Sequence, residues 1–175
     1  NKALSENNGD FEKAVDWLRK KGLSSASKKS SRTTSEGVIA VHINNLQATM
    51  IEVNSETDFV ARNKDFEGLV NDLATMLSSK SSHVSGGIVE DVAPLMNEKL
   101  PNGATVEATI NEKTASIGEK LSVRRFARFD KGNLYGSYVH GAGSIGVLVE
   151  MTVSGNAQQA TLQNLARDLA MHVAA

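Results

Sequence analysis

The sequence predicts an α+β fold in which antiparallel hairpins and helices follow a short helical piece and a linker. Apolar residues recur at helical spacing near the start, and two later regions each combine strand-like alternation with a helical stripe. These two regions are similar to each other, which indicates an internal repeat. We expect the end of a helical domain over 1–23, a linker over 24–36, a first core subdomain over 37–130 and an incomplete second repeat unit over 131–175.

The N-terminal piece is predicted to contain one amphipathic helix with recognisable end signals. Asp10 is a suitable N-cap, and Gly22 behind two lysines is a suitable C-cap. An apolar stripe runs over 11–18 between them. One such helix cannot bury its stripe alone, so we expect it to pack on Leu4 and on residues upstream.

The next segment has the composition of a linker, although residues 26–32 could hold some helix. Residues 24–35 are rich in Ser, Thr, Lys and Arg and nearly lack large apolar side chains. Lys28, Lys29 and Arg32 form a small basic cluster within it. We interpret the cluster as part of a solvated linker, with contact to RNA or to an acidic surface as the alternative.

The first core subdomain begins with a predicted hairpin. Strand-like alternation starts at Glu36, a turn is expected at Asn44 and Asn45, and an apolar run covers 48–53. A helix is then predicted over 65–79 from its apolar stripe, followed by a polar loop over 78–87.

The remaining elements follow from local signals. A short helix is predicted over 88–97, with Pro94 near its middle as a conflicting signal. Thr105 is a suitable N-cap for a helix that ends at Gly118. The rest of the chain is predicted as strands over 121–129, 134–140 and 146–153, a hairpin turn over 130–133, and a closing helix over 161–173.

One apolar residue is out of place between the first hairpin and its helix. The charged segment Glu-Thr-Asp-Phe-Val-Ala-Arg-Asn over 56–63 carries Phe59. Either Phe59 folds back on the following helix as a hydrophobic staple, or it protrudes as a wedge for a partner. The local pattern leaves both readings open.

The internal repeat favours the second reading. Ile-Glu-Val at 51–53 and Leu-Val-Asn-Asp-Leu-Ala at 69–74 are echoed by Val-Glu-Met at 149–151 and Leu-Ala-Arg-Asp-Leu-Ala at 165–170. Only the first copy carries an aromatic residue in the intervening loop. A staple needed for folding is expected in both copies, so the asymmetry favours a partner-binding role for Phe59.

Composition argues against several classes of function. A net charge of −1 and a pI near 6.5 indicate no bulk attraction to nucleic acid or membranes. The chain has no cysteine, which excludes disulfides and thiolate metal sites. No apolar run has the length of a membrane span, and no signal peptide is recognised. Both ends interrupt a pattern, so we interpret the chain as a fragment.

No catalytic or metal-binding constellation is recognised. The four histidines are scattered and form no His-x-x-x-His pair. The Gly-x-Gly-x-x-Gly string over 141–146 joins two predicted strands, whereas a dinucleotide site requires a helix after the glycines. We interpret this string as a β-turn.

Three arginines on one predicted strand suggest a nucleic-acid platform as a further possibility. Strand alternation places Arg124, Phe126 and Arg128 on one face and Arg125 and Phe129 on the other, which divides the basic patch. We therefore interpret the arginines as the rim of a half-buried sheet.

Four strings resemble blocks of one protein family, and along the chain they occur in the same order as in the family. They are Glu-Val-Asn-Ser-Glu-Thr-Asp-Phe-Val-Ala-Arg-Asn over 52–63, the Ile-Gly-Glu block over 117–126, Gly-Ser-Tyr-Val-His-Gly over 136–141 with the strand over 145–150, and the helix over 8–22. Over most of its length the chain resembles elongation factor Ts, the guanine-nucleotide exchange factor of the GTPase elongation factor Tu. The N-terminal piece is then similar to the end of a three-helix, ubiquitin-associated-like domain.

The resemblance implies which residues contact the partner. The segment implicated in dislodging Mg²⁺ from the GTPase corresponds to Thr57, Asp58, Phe59 and Val60, with the Asp-Phe pair entering between helices that flank the metal. The family positions near the partner's phosphate loop correspond to Ile117, Gly118 and His140. We interpret Arg62 and Asn63 as bracing the start of the following helix.

The resemblance also implies the mode of action. Wedging near Mg²⁺ and the phosphate loop would promote GDP release and allow GTP to load, without catalytic residues, metal ligands or cofactors in this chain. Elongation factor Tu is the expected partner, with a dimer or heterotetramer left open, and neither a membrane nor direct nucleic-acid contact is required. The bacterial cytoplasm is the expected location, with the mitochondrial matrix or plastid stroma as alternatives. An RNA-binding α+β module associated with the ribosome is the alternative function.

Overall fold

The computed structural model describes residues 2–44, 46–79, 86–155 and 158–175. Within these ranges the helices are α1 (Lys2–Glu6), α2 (Phe11–Lys29), α3 (Asp58–Ala61), α4 (Lys64–Ser78), α5 (Ala93–Met96), α6 (Val106–Ile117) and α7 (Gln159–Ala174). The strands are β1 (Glu36–Ile43), β2 (Ala48–Ser55), β3 (Ile88–Val89), β4 (Ser122–Phe129), β5 (Leu134–His140) and β6 (Ile145–Met151). The combination of helices and antiparallel sheets confirms the predicted α+β class.

Some predictions concern residues that the structure does not describe. The turn residue Asn45 lies outside the described residues, as does most of the predicted polar loop over 78–87, with His83 in it. The same holds for positions 156–157 in the loop of the second repeat.

The first unit is a four-stranded antiparallel sheet in the order β1–β2–β4–β3. β1 and β2 pair from Glu36 opposite Ser55 to Ile43 opposite Ala48, which confirms the predicted hairpin. α4 covers one face of this hairpin, because the apolar residues that alternate along the strands match the helical stripe. The core there includes Val38, Ala40, Ile51 and Val53 from the strands and Phe66, Leu69, Val70, Leu73 and Leu77 from the helix.

The second unit repeats this arrangement. β5 and β6 form a hairpin closed by a 3₁₀ turn, Gly141–Gly143, and α7 packs on it. Gly146 lies against Ile39 and Met50, on the face of β1 and β2 that α4 does not cover. The layers are therefore α4, the first sheet, the second sheet and α7, and the predicted repeat of hairpin and helix is confirmed.

The predicted end of the N-terminal helix at Gly22 is wrong, because α2 continues to Lys29. α2 packs on α6, and a Cβ placed on Gly22 would lie 3.4 Å from the Cβ of Ala115. The glycine therefore lies in a close helix–helix contact, where tertiary packing outweighs its low helix propensity. The last residues of α2, 24–29, therefore occupy the first part of the segment predicted as a linker.

The rest of that segment is attached to the core. Arg32 forms an ion pair with Glu56, with 3.2 Å between Nη1 and Oε1. The hydroxyls of Thr34 and Ser122 lie 2.9 Å apart. This part of the predicted linker is therefore bonded to the core through two side chains, of which Arg32 remains exposed to solvent.

The short helix predicted over 88–97 is largely wrong. Its first residues form β3, which pairs with β4 through Ile88 opposite Ala127 and completes the sheet. Only the four residues of α5 are helical, with Pro94 in the first turn, where a missing N–H leaves no hydrogen bond unmade.

The predicted hairpin turn over 130–133 does not join paired strands. β4 belongs to the first sheet and β5 to the second. The turn is instead bound to β6, since the carboxylate of Glu150 accepts hydrogen bonds from the backbone N–H groups of Lys131 at 2.8 Å and Gly132 at 2.9 Å. Glu150 thus directs β5 towards β6.

Strand alternation along β4 is interrupted by a bulge. Arg125 lies opposite Glu52 and Val123 opposite Val53, so Arg124 is an extra residue on β4. Arg124 is exposed whereas Phe126 is in the core, so the prediction that these two side chains share a face is wrong.

We predict opposite effects of the same substitution at two glycines. A Cβ on Gly136 would overlap the carbonyl oxygen of Ala166, so Gly136→Ala should destabilise the chain by about 1–3 kcal/mol through forced separation of β5 and α7. Gly68, inside α4, has no atom within 4 Å of such a Cβ, so Gly68→Ala should stabilise by about 0.5–1 kcal/mol. Urea denaturation measures both, and equal effects would contradict the close packing at Gly136.

Candidate functional site

Phe59 lies on a short helix that directly follows β2. Thr57 is the N-cap of α3, and its hydroxyl accepts the backbone N–H of Val60 at 3.5 Å. The side chains of Val60 and Ala61 are buried in the core, whereas Phe59 is 83 % exposed. The staple reading of Phe59 is therefore wrong, and the ring protrudes into solvent.

The rest of α3 explains why Phe59 stays outside. Val60 and Ala61 occupy the inward side of this single turn, and neighbouring helical positions are about 100° apart, so Phe59 is directed away from them. Asp58 and Arg62 form an exposed ion pair on the same turn, with 3.2 Å between carboxylate and guanidinium. A polar pair thus flanks the exposed ring.

Asn63 separates α3 from the long helix behind it. Its side-chain oxygen accepts the backbone N–H groups of Asp65 at 2.8 Å and Phe66 at 3.4 Å, which makes it the N-cap of α4. Since Phe66 is fully buried, the cap fixes the start of α4 on the sheet and α3 in front of it.

A second candidate segment follows α6. This helix ends at Ile117, and Gly118 adopts the left-handed conformation at φ +93°, with its N–H bonded to the carbonyl of Thr114 at 3.1 Å. Glycine adopts this conformation without the steric cost that a side chain adds. Ile117 is half-buried against the core, and Gly118 is exposed. The turn brings Glu119 towards the end of β2.

Two carboxylates join these two segments. Glu119 accepts the backbone N–H of Thr57 at 3.0 Å with one oxygen and its hydroxyl at 2.6 Å with the other. In the opposite direction, Glu56 accepts the backbone N–H of Lys120 at 2.6 Å. The predicted partner-contact residues 57–60 and 117–118 therefore lie on neighbouring loops that are directly hydrogen-bonded to each other. We call the four bonded residues Glu56, Thr57, Glu119 and Lys120 the carboxylate clamp.

Sequence reasoning assigned no role to Glu56 or Glu119. Both stand inside the strings that resemble the family, at 52–63 and 117–126, but their partners lie more than 60 residues away along the chain. A single sequence contains no signal for a hydrogen bond over that separation.

The clamp changes the acidity of one of its carboxyl groups. The pKa of Glu56 is lowered, chiefly because its carboxylate accepts the backbone N–H of Lys120 and secondarily because Arg32 donates to it. Glu56 therefore stays ionised in the clamp at neutral pH.

His140 lies on a different surface element, at the end of β5. Its ring is exposed, and its Nδ1 is 2.9 Å from the hydroxyl of Tyr138. The 3₁₀ turn after it packs on β1 at Val38 and Ile39, near the end of the hairpin that leads into α3. Within the described residues no hydrogen bond links His140 to α3 or to Gly118, so the structure does not join it directly to the other candidate residues.

The described residues offer little for bond-making chemistry. They contain no group of three or more His, Cys, Asp or Glu side chains that could hold a metal ion. The exposed groups at the site are an aromatic ring, an ion pair and a glycine turn, which suit contact with another macromolecule.

None of the helices in the described ranges has the length and apolarity needed to cross a membrane.

We predict that the clamp gives the chain a pH-dependent stability. A carboxyl group whose pKa is lower in the folded chain stabilises the fold above its ordinary pKa, and this contribution is lost as pH falls through the folded value. Glu56→Gln should therefore be less stable than the parent at pH 7, and the difference should shrink below about pH 4. Urea denaturation at pH 7 and pH 3.5 measures this, with Glu112→Gln, an exposed position on α6, as the control. A difference that is the same at both pH values would contradict the role of Glu56.

Comparison with known proteins identifies the family. The sequence model of the family described as "Elongation factor TS" matches residues 56–175, more than half of the chain. Elongation factor Ts of Clostridioides difficile (strain 630) is 47 % identical over 176 residues, covering 99 % of this chain and 55 % of that protein. The chain thus spans about half the length of this curated relative. On both grounds, the chain belongs to the elongation factor Ts family.

Proposed function

We propose that this chain acts in translation elongation by binding elongation factor Tu in its GDP form and promoting GDP release. The observation that carries the proposal is Phe59, which is 83 % exposed on a helix whose neighbouring residues are anchored in the core. Single exposed apolar residues are common on protein surfaces. Here the exposed ring lies within residues 56–175, which the family model matches. It also lies in the string over 52–63, whose resemblance to the family implies contact with the GTPase.

The energy available from Phe59 has the right size for part of this task. Full burial of a phenylalanine side chain in a partner cleft contributes about 1.5–3 kcal/mol. Since about 1.4 kcal/mol corresponds to a factor of ten in an equilibrium constant, one ring accounts for roughly one to two orders of magnitude. Further contacts must share the work, and we assign them to Ile117 and Gly118 next to the clamp and to His140 on the second sheet.

Rigid presentation of the ring makes its burial effective. The inward side chain of Val60 anchors α3, and the clamp and the Asn63 cap hold it at both ends. We therefore assign Val60 to anchoring the wedge, while Phe59 enters the partner. A preorganised segment loses little conformational freedom on binding, so more of the burial energy appears as affinity.

Exchange requires that the chain bind better to the state of the GTPase in which GDP and Mg²⁺ are weakly held. Insertion of Asp58 and Phe59 between helices that flank the metal would favour that state by displacing Mg²⁺. In the free chain the carboxylate of Asp58, the residue before Phe59, is paired with Arg62 at 3.2 Å. The action is steric and electrostatic, with no covalent step, and the chain is not an enzyme in this proposal.

The RNA-binding alternative gains no support from the described residues. The three arginines of β4 each have an acidic partner: Arg124 with Glu90, Arg125 with Glu52, and Arg128 with Asp130. Ion pairs of this kind reduce the charge that a phosphate backbone would meet. Since the relative is bacterial, we place the activity in the bacterial cytoplasm.

We predict that Phe59→Ala lowers the rate of GDP release from elongation factor Tu by tenfold or more. Release of a fluorescent GDP is followed with increasing concentrations of the parent and the variant. Because Phe59 is exposed, the variant should keep the stability of the parent within about 0.5 kcal/mol.

Leu46→Ala is the matched control for this experiment. Leu46 is 78 % exposed, but it lies at the turn of the first hairpin, at the opposite end from α3. This variant should accelerate GDP release from elongation factor Tu as much as the parent does. Equal activity of Phe59→Ala and the parent would remove Phe59 as the wedge. A parent that binds elongation factor Tu without accelerating GDP release would show that exchange needs contacts beyond those of this chain.

A further inference from the structure

Glu119 stands out among the side chains around the wedge because it binds two groups of one residue. One carboxylate oxygen accepts the N–H of Thr57 and the other accepts its hydroxyl, at 3.0 and 2.6 Å. Both side chains are partly buried, which limits competition from water. Hydrogen bonds to an ionised group are shorter and stronger than those between neutral groups.

The hydroxyl of Thr57 connects this carboxylate to α3. A hydroxyl has one hydrogen to donate, and here the hydrogen is directed to Glu119, which leaves a lone pair to accept the N–H of Val60. That capping bond is long, at 3.5 Å, and α3 has only four residues. A helix of four residues is not stable by itself. The direction of α3 therefore depends on the hydrogen bonds of its N-cap, Thr57.

We propose that Glu119 is a positioning residue that sets the direction in which Phe59 is presented to the partner. It acts through Thr57 and does not itself need to touch the GTPase. The inference rests on the proposed exchange function, which it deepens by naming the residue that makes the wedge rigid. Glu56 supports the same arrangement from the other side by holding Lys120.

The first test is made without the partner. In Glu119→Gln one of the two acceptor oxygens becomes an NH₂ group, which can only donate, so Thr57 no longer has an ionised acceptor for both its N–H and its hydroxyl, while the size of the side chain is kept. Amide hydrogen exchange at Thr57 and Val60 should become at least tenfold faster. Amides in the middle of α4, such as that of Leu73, should keep the protection of the parent.

The second test measures GDP release as a function of the concentration of the chain. Glu119→Gln should lower the maximal release rate about tenfold and change the half-saturating concentration less than threefold. Glu112→Gln removes the same charge from the exposed side of α6, has no bond to Thr57, and should match the parent. Thr57→Val removes the hydroxyl that Glu119 binds and should match Glu119→Gln.

A double-mutant cycle decides whether Glu119 acts through Thr57. If Glu119 acts through Thr57, the double variant Glu119→Gln/Thr57→Val should accelerate GDP release from elongation factor Tu as much as the slower of the two single variants. Multiplied losses would mean that Glu119 acts on the partner directly and would overturn the inference. Faster amide exchange with undiminished GDP release would also overturn it, while leaving the proposed function intact.

The remaining outcomes separate the two proposals. If Glu119→Gln does not fold, Thr57→Val cuts the same hydroxyl bond from the other side and decides the question by the same criteria. If the parent chain neither binds elongation factor Tu nor accelerates GDP release from it, the proposed function fails and the inference fails with it. Amide exchange at Thr57 would then still show whether the clamp restrains α3.

Discussion

The packing of α4 on one face of the β1–β2 hairpin is the constraint on which the rest of the structure depends. Strand alternation leaves that hairpin with two different faces, and α4 covers the one that carries Val38 and Ile51. Because α4 is fixed there, the short connection from β2 must turn at once, and α3 forms in it with Val60 directed inward. The opposite face, with Ile39 and Met50, is left for the second hairpin. One helix placement thus determines the position of both the wedge and the second unit.

The two repeats show how one scaffold can carry a site in a single copy. Both units combine a hairpin with a helix that packs on its strands. In the second unit the helix approaches closely, because Gly136 lies against the backbone of Ala166. What differs is the connection between strand and helix. In the first copy it contains α3, whose inward residue Val60 joins the core while Phe59 remains outside. The connection thus contributes Val60 and Ala61 to the core of the first unit and leaves the ring of Phe59 outside it.

Local features of the fold were predictable because they depend on neighbouring residues. The apolar stripe of α4, the N-cap Thr105 and the left-handed Gly118 are all read from a few positions, and the structure contains them. The wrong predictions concern elements whose conformation is determined by residues far away in the sequence. Gly22 continues a helix because α6 lies against it, and Ile88 is a strand because β4 is available to pair with it. The same applies to the site: Phe59 was visible as an anomaly in the sequence, whereas Glu119 has a role only because folding brings Thr57 to it.

The N-terminal helix is connected to the wedge through two separate contacts. α2 packs along α6 at Gly22, and α6 ends in the turn that carries Glu119. After α2 the chain passes Arg32, which binds Glu56 on the other side of the clamp, and the carbonyl of Arg32 accepts the side-chain ammonium of Lys120 at 2.8 Å. Both carboxylates of the clamp are therefore coupled to α2, one through α6 and one through Arg32.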